Sequence, residues 1–160
     1  MANITISQIE DAIKTAMENQ CKKGVAVGGY VRNIETYAGE FDQELDKLIN
    51  KLPFILVEFD RFRNNVLGAK ATGVTIYRRD LEFNVFVCAQ DLRGQDVAAR
   101  KIGGSYDMIE DVSIALAGVA LLDGMGALDL QYTIRLANLK QFSIYQMHFT
   151  TFRKHRTAVS

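Results

Sequence analysis

Alternating apolar and polar residues mark several segments of the chain as β-strands. The clearest is 81–89, where side chains at odd and even positions project from opposite sides of the backbone. One side carries Phe83, Val85, Val87 and Ala89, and the other carries Glu82, Asn84, Phe86 and Cys88. Segments 128–136 and 142–152 alternate in the same way, and the short polar connection between them predicts a hairpin. The apolar run 54–59 is too short for a helix and is typical of a central strand.

A helical spacing of apolar residues predicts three helices. The three segments with this spacing are 6–20, 40–51 and 105–118. Ser7 and Glu10 have the spacing of a capping box, in which two side chains satisfy backbone N–H groups at a helix start. Pro53 is the only proline of the chain and ends the second helix. With helices at these positions, several strands follow one another along the chain with no helix between them.

Consecutive strands joined by short turns favour an α+β fold. We expect a largely antiparallel sheet with about three helices packed mainly on one face. The 160 residues have the length of one domain, 1–160. A polar, glycine-containing passage predicts a long loop near 61–73, and residues 153–160 predict a flexible basic C-terminal tail.

The balance of charge argues against a dedicated nucleic-acid-binding domain. Nineteen Lys and Arg balance nineteen Asp and Glu, whereas proteins that bind duplexes usually carry a basic surface. No segment reaches the roughly 18 consecutive apolar residues of a membrane span, and the first residues lack the pattern of an export signal. The sequence therefore predicts synthesis in the cytoplasm, no membrane partner and no sequence-specific nucleic-acid partner.

Candidate chemistry is sparse, and we expect neither a cofactor nor a metal. The only histidines, His148 and His155, lie seven residues apart on a strand and its end, which does not make a ligand pair. The segment GVAVGG lacks the Lys-Ser/Thr of a phosphate-binding loop, and no serine has a GxSxG setting. Cys21 and Cys88 have no CxxC spacing and are expected to be reduced. These residues predict a protein that is not an enzyme, and a thiolate pair of Cys88 with His148 is the alternative.

Local clusters of arginine stand out in this neutral chain. Arg61 and Arg63 form one cluster, Arg78 and Arg79 form another, and the terminal residues Arg153, Lys154 and Arg156 form a third. They are either a solvated surface or contacts to acidic groups on neighbouring subunits, where clustered charge sets orientation and register.

The order of several segments resembles the tail-terminator family of Mu-like contractile-tailed bacteriophages and their prophages. The similarity runs from about Ile6 to Phe152. The segments that carry it are YAGE, LPFILVEF, the strand-to-turn sequence AQDLRG, GSYDMIEDV on the third predicted helix, and the final strand ending in SIYQMHFTTF. The family often has an arginine where Gln90 stands in this chain, which puts in doubt any role of that side chain but leaves the fold expectation intact.

The resemblance implies a small virion subunit of the phage tail or neck, assembled in the host cytoplasm. Such a subunit forms a hexameric ring that caps the tail tube, stops its polymerisation and presents a surface to head-completion proteins. The partners it implies are other copies of the chain, the tail tube protein, neck proteins and the tail sheath, with genome DNA passing through the ring. Phe86 and Cys88 then become candidates for subunit contact, together with the four arginines of the first two clusters. A head-closure or tail-completion adaptor is the alternative function.

Overall fold

The computed structural model describes residues 3–21, 31–42, 47–48, 50–69, 75–90, 104–139 and 142–157. Within these ranges there are two α-helices, a short 3-10 turn at Glu40–Asp42 and one five-stranded sheet. The elements in chain order are α1 (Ile6–Gln20), β1 (Asn33–Thr36), β2 (Phe54–Ala69), β3 (Thr75–Gln90), α2 (Ser105–Leu116), β4 (Asp129–Leu139) and β5 (Phe142–Thr157). Neither helix in these ranges combines the length and the apolar content that crossing a membrane requires.

The fold is α+β, but the prediction of about three helices on a largely antiparallel sheet was wrong. The described residues hold two α-helices, and the sheet is mixed, with strand order β1-β2-β3-β5-β4. β1 pairs with β2 in parallel, while the other pairings are antiparallel. A parallel neighbour needs a crossover connection, and the long segment between β1 and β2 provides it. Of the predicted helix 40–51, residues 43–46 and 49 lie outside the described residues, residues 47–48 are helical, and the start is the 3-10 turn.

One face of the sheet packs against both helices and forms the main core. α1 contributes Ile9, Ile13 and Met17, spaced three or four residues apart so that they share one side of the helix. α2 contributes Met108, Val112 and Leu116 at the same spacing. The sheet contributes Phe83, Val85, Val87, Met147 and Phe149, among other buried side chains. The predicted assignment of β3 side chains to two opposite faces is confirmed by this cluster.

The start of α1 differs from the predicted capping box. Thr5, and not Ser7, is the N-cap: its Oγ1 accepts a hydrogen bond from the Gln8 backbone N–H at 3.1 Å. The Gln8 side chain accepts in return from the Thr5 backbone N–H at 2.8 Å. Both candidate pairs have the same three-residue spacing, so the spacing alone does not decide between them. The apolar residues that must face the core select the earlier one.

A long two-stranded hairpin replaces most of the predicted loop. β2 continues to Ala69, so residues 61–69 are strand, and residues 70–74 lie outside the described residues. Arg78 and Arg79 lie within β3, near its start. β5 likewise continues to Thr157, through the first half of the predicted tail. In that part Arg153 is buried, and burial, followed by the nearby charge of Arg79, lowers its pKa.

Among the described residues, the second face of the sheet has a covering cluster at one end. A smaller cluster of buried residues lies there, formed by Leu48, Leu52, Phe54, Leu56, Phe86, Cys88, Phe142 and Ile144. Tyr37 and Phe41, from the crossover segment, pack against it. The ring centroids of Phe41 and Phe86 lie 5.0 Å apart, edge to face, an arrangement that aromatic pairs favour. The crossover segment therefore covers apolar side chains at this end of the second face, as the two helices cover those of the first face.

Cys88 is expected to behave as an inert, buried thiol. Burial, and to a smaller extent the charge of Glu40, raises the pKa of Cys88 well above its ordinary value. In the unfolded chain the thiol ionises near pH ~8.5, so this group destabilises the fold only as the pH rises above that value. We expect no fast reaction with a thiol reagent in the native state, and a loss of unfolding free energy above pH ~8.5 that is smaller in Cys88→Ala. Fast native-state labelling of Cys88 would instead support the cysteine-dependent alternative.

Candidate functional site

A row of polar side chains crosses the second face beyond the smaller cluster. The strand register places Glu58 of β2 opposite Asn84 of β3, Asn84 opposite His148 of β5, and His148 opposite Tyr132 of β4. Side chains opposite one another in neighbouring strands lie close enough to interact. We call these four residues the polar row.

Asn84 is the centre of the polar row. Its Nδ2 donates a hydrogen bond to Glu58 Oε2 at 3.0 Å, and its Oδ1 accepts from Gln146 Nε2 at 2.8 Å. His148 Nδ1 lies 2.7 Å from the same Oδ1. The ring of Tyr132 stacks on the imidazole of His148 with centroids 5.0 Å apart and planes 10° apart. Asn84 and His148 are 5% and 6% exposed, so these contacts hold buried polar groups in one arrangement.

A charged group lies beside the polar row, one step along the strands. Glu82 faces Arg61 across the β2–β3 pairing, and Arg61 Nε contacts Glu82 Oε2 at 3.2 Å and Asp60 Oδ2 at 3.1 Å. The second oxygen of Glu82, Oε1, lies 3.0 Å from His148 Nε2. The hydrogen bond to Asp60, followed by the charges of Asp60 and Glu82, raises the pKa of Arg61. The polar row and the charged group are thus joined through His148 and Glu82.

Two irregularities in strand pairing flank this region. One shift of register lies between Phe59 and Arg61 in β2, and another lies between Leu130 and Tyr132 in β4. Bulges of this kind are over-represented next to functional sites because they re-aim a side chain. The first turns the side chain of Asp60 toward Glu82 and His148, and ligand atoms of these three residues all lie within 4.8 Å of one another.

Sequence reasoning missed this group. It set a metal aside because the two histidines do not form a pair, and did not consider carboxylates from other strands. The three side chains come from β2, β3 and β5, and only the strand register brings them together. The sequence contained one indication of a polar site: Glu82 and Asn84 are two residues apart and so lie on the same face of β3. The alternative pair of Cys88 and His148 is not formed, since His148 lies opposite Asn84, four residues or about 13 Å along the strand from Cys88.

The predicted arginines are distributed over both faces of the hairpin. Arg78 contacts Asp80 at 2.9 Å and lies over the ring of Phe152 at 4.2 Å. Arg79 lies over the ring of Phe62 at 4.2 Å, and by register it is on the helix-bearing face. Arg63 has no hydrogen bond or ion pair to any part of the chain that the structure describes. It lines an open cavity of about 470 Å³ together with Arg78, Asp80, Glu82, Asp129 and Phe152.

Phe86 and Cys88, predicted as subunit contacts, are buried within the chain. Phe86 is covered by Tyr37 and Phe41, and Cys88 is fully buried in the same cluster. The surface that the prediction left for a neighbouring copy is therefore occupied by the crossover segment. We place the candidate contact surface elsewhere.

Large apolar side chains are exposed instead on β4, the outermost strand beside β5. Tyr132, Ile134 and Leu136 are 45%, 45% and 46% exposed. The regular alternation of 128–136 predicted that these residues share a face with Leu128 and Leu130, which are buried or half-buried in the main core. The bulge after Leu130 reverses the alternation, so Tyr132 follows His148 on the second face. A second shift of register, between Arg135 and Ala137, leaves Leu136 without a partner in β5, so Leu136 is grouped with Tyr132 and Ile134 by its exposure. We call these three residues the β4 stripe.

Comparison with known proteins gives one family match. A family model described as "Bacteriophage Mu, Gp37" matches residues 5–155. The search of curated proteins finds no match. Among solved structures, the chain is similar to one from a structure titled "Virion of native gene transfer agent (GTA) particle", with 13% identity, a TM-score of 0.47, and coverage of 91% of this chain and 97% of that chain. At that TM-score the likeness has no bearing on function. Because the family model spans nearly the whole sequence, the chain belongs to the Bacteriophage Mu Gp37 family.

Proposed function

We propose that this chain is the tail terminator of a Mu-like phage. Copies form a ring, hexameric by the resemblance, that caps the tail tube, stops its growth and offers its other side to the neck. Family membership and the order of the segments YAGE, LPFILVEF and GSYDMIEDV support this function. In this role the protein acts through contact surfaces and catalyses no reaction.

The observation that carries the proposal is the exposed β4 stripe on an edge strand. Edge strands with exposed apolar side chains are aggregation hazards that single-chain proteins usually protect with charge or cover. An apolar stripe here is explained if a neighbouring copy covers it. A ring needs two different surfaces on each copy, so that each contact is head-to-tail and closes by rotation. The long hairpin of β2 and β3, with exposed Phe62, Val66 and Leu67, is a suitable second surface.

Termination follows from the difference between the two sides of such a ring. One side matches the end of the tail tube and docks on it. The opposite side does not match a further tube ring, so polymerisation stops there and neck proteins bind. Genome DNA passes through the centre without sequence-specific contacts, in keeping with the neutral net charge. The ring is assembled in the host cytoplasm, and the tail sheath is a further partner.

Light scattering and electron microscopy of the purified chain test this function. We expect a closed ring, either alone or on the ends of added tail tubes, and tubes of limited length when the chain is present during polymerisation. A chain that stays monomeric, does not bind tubes and leaves their length unchanged would contradict the proposal. Binding to a portal-side protein in preference to the tube would favour the head-closure or tail-completion alternative.

Arg63→Glu should weaken ring or tube association without affecting the fold. Arg63 is exposed and has no partner within the described residues, so reversing its charge removes nothing that stabilises the monomer. An interfacial charge reversal should raise the dissociation constant roughly tenfold, mainly by slowing association, and less at high salt. Arg79→Glu is not a neutral control, because Arg79 contacts Asn64 and the exposed ring of Phe62 on the hairpin, and its charge reversal would remove both contacts. Equal association of wild type and Arg63→Glu at low salt would remove Arg63 from the interface.

A further inference from the structure

We propose that Asp60, Glu82 and His148 form a binding site for a divalent transition metal ion of the zinc type. The site lies on the second face of the sheet, and its ligands come from three strands. This inference does not depend on the tail-terminator function.

The protonation of His148 Nδ1 is determined by Asn84. Glu58 Oε2 accepts a hydrogen bond from Asn84 Nδ2, and a carboxylate only accepts, so the other atom of the amide is the oxygen. Gln146 Nε2 donates to that oxygen, which confirms its role as an acceptor. His148 Nδ1 lies 2.7 Å from the same oxygen and must therefore carry a proton. A metal-binding histidine usually donates its other N–H to a carbonyl or carboxylate in this way.

The second nitrogen of His148 then requires a cation beside it. Nε2 lies 3.0 Å from Glu82 Oε1. In the neutral ring with a proton on Nδ1, Nε2 presents a lone pair, and two electron-rich atoms would face each other. A proton on Nε2 relieves this repulsion, and so does a metal ion bound by both atoms. A metal ion can also use a third ligand, and Asp60, which pairs with Arg61 in the free protein, offers an oxygen within 4.8 Å of the other two atoms.

The local charge favours a divalent ion. Three carboxylates (Glu58, Asp60 and Glu82) and one guanidinium (Arg61) leave a net charge of about −2 when the imidazole is neutral. A proton on His148 reduces this to −1, whereas a divalent ion neutralises it. One imidazole and two carboxylates are also a ligand set that suits zinc-type ions.

The geometry needs only a small adjustment. Ligand atoms of a tetrahedral zinc site lie about 3.4 Å apart when each bond is about 2.1 Å long. Glu82 Oε1 and His148 Nε2 are already 3.0 Å apart, and all three atoms lie within 4.8 Å of one another, so Asp60 must move inward by at most about 1.4 Å. The side chain of Asp60 is 30% exposed and can make this movement. His148 is held in place by Asn84 and by the stacked ring of Tyr132.

Three protein ligands leave a coordination position for water or for a group from another molecule. Arg61 is the competitor in the free protein, since its guanidinium contacts the same two carboxylates. Its side chain is 63% exposed and can turn toward solvent when an ion binds. Removing Arg61 should therefore strengthen metal binding, an effect that nonspecific binding to surface carboxylates would not show to the same degree.

Calorimetry with Zn²⁺ and absorption spectroscopy with Co²⁺ on the untagged, full-length chain test the site. We expect one equivalent to bind. Glu82→Gln, Asp60→Asn and His148→Ala should each weaken binding at least about tenfold, and Arg61→Gln should strengthen it severalfold. Glu82→Gln and Asp60→Asn each replace a carboxylate by an amide of the same shape, so both variants should fold. They therefore still test the site if His148→Ala fails to fold. His155→Ala, which removes the other imidazole, and Asp129→Asn are the matched controls.

Two outcomes would overturn the proposal. One is the absence of binding to wild type and Arg61→Gln at millimolar Zn²⁺ and Co²⁺. The other is binding that Glu82→Gln and Asp60→Asn leave unchanged. An NMR spectrum in which His148 keeps protons on both ring nitrogens at saturating Zn²⁺ would likewise assign the position beside Glu82 to a proton.

Discussion

Replacing Ile134 and Leu136 together by lysine should abolish self-association while leaving the monomer folded. Both side chains are about half exposed on the edge strand, so a lysine there can keep its charge in water in the isolated chain. In an assembled ring the same charges would be buried against a neighbour's apolar surface. Central apolar contacts of an interface are worth about 2 kcal/mol or more each, so the association constant should fall at least about a thousandfold.

Comparing the double lysine variant with a control variant separates an effect on assembly from an effect on folding. Ile114→Lys is the matched control, because Ile114 is 62% exposed on α2, away from β4. Light scattering over a range of protein concentrations measures association, and urea unfolding measures stability. Both proteins should unfold within about 1 kcal/mol of wild type, since exposed positions tolerate substitution. If the double variant assembles as wild type does, the β4 stripe is not the contact surface, although another surface could still form the ring.

The parts of the fold that sequence predicted well are those where local pattern and tertiary packing agree. In β3 the alternating residues sit between two neighbours and are buried on both faces, so nothing disturbs their regular spacing. Helix α1 was placed for the same reason, with Ile9, Ile13 and Met17 all in the core. Its cap was misplaced because two overlapping pairs of residues have the same spacing.

The hairpin was mistaken for a loop because it extends beyond the core. From Arg61 to Leu67 every residue of β2 is exposed, so the strand structure there comes from pairing with β3 and not from burial. The pattern of hydrophobic and polar residues in a sequence does not show which backbone hydrogen bonds form between strands. The sequence also did not predict the parallel pairing of β1 with β2. β1 has only four residues. Its pairing partner depends on how the crossover segment folds over the second face.

The candidate site was beyond sequence reasoning because it depends on register and on bulges. The extra residue in β4 reverses the sides on which later side chains project, which turned a predicted core residue such as Ile134 outward. Asp60 likewise reaches Glu82 and His148 only because β2 is irregular at that point. Single-residue insertions of this kind have no clear signature in one sequence.

Asn84→Leu should have the largest effect on stability of any polar substitution in the sheet. Leucine is close to asparagine in size, so little space is lost, but the amide that joins three neighbours disappears. His148 Nδ1–H and Gln146 Nε2–H lose their acceptor in a buried or half-buried place, and an unsatisfied buried group costs about 1–3 kcal/mol. We expect the free energy of unfolding to fall by about 2–4 kcal/mol, measured by urea denaturation with an unchanged m-value.

Gln131→Leu provides the comparison. Gln131 also joins two strands of this sheet, by donating to Thr150 Oγ1 at 3.0 Å, but it is exposed, and water can replace the lost partner. Its effect should stay within about 0.5 kcal/mol. If Asn84→Leu were as mild, the groups around Asn84 would have to find other partners, and Nδ1 of His148 would no longer be held as a donor. The metal site depends on that donor, so in the same variant Zn²⁺ affinity should fall along with stability, whereas Gln131→Leu should change neither.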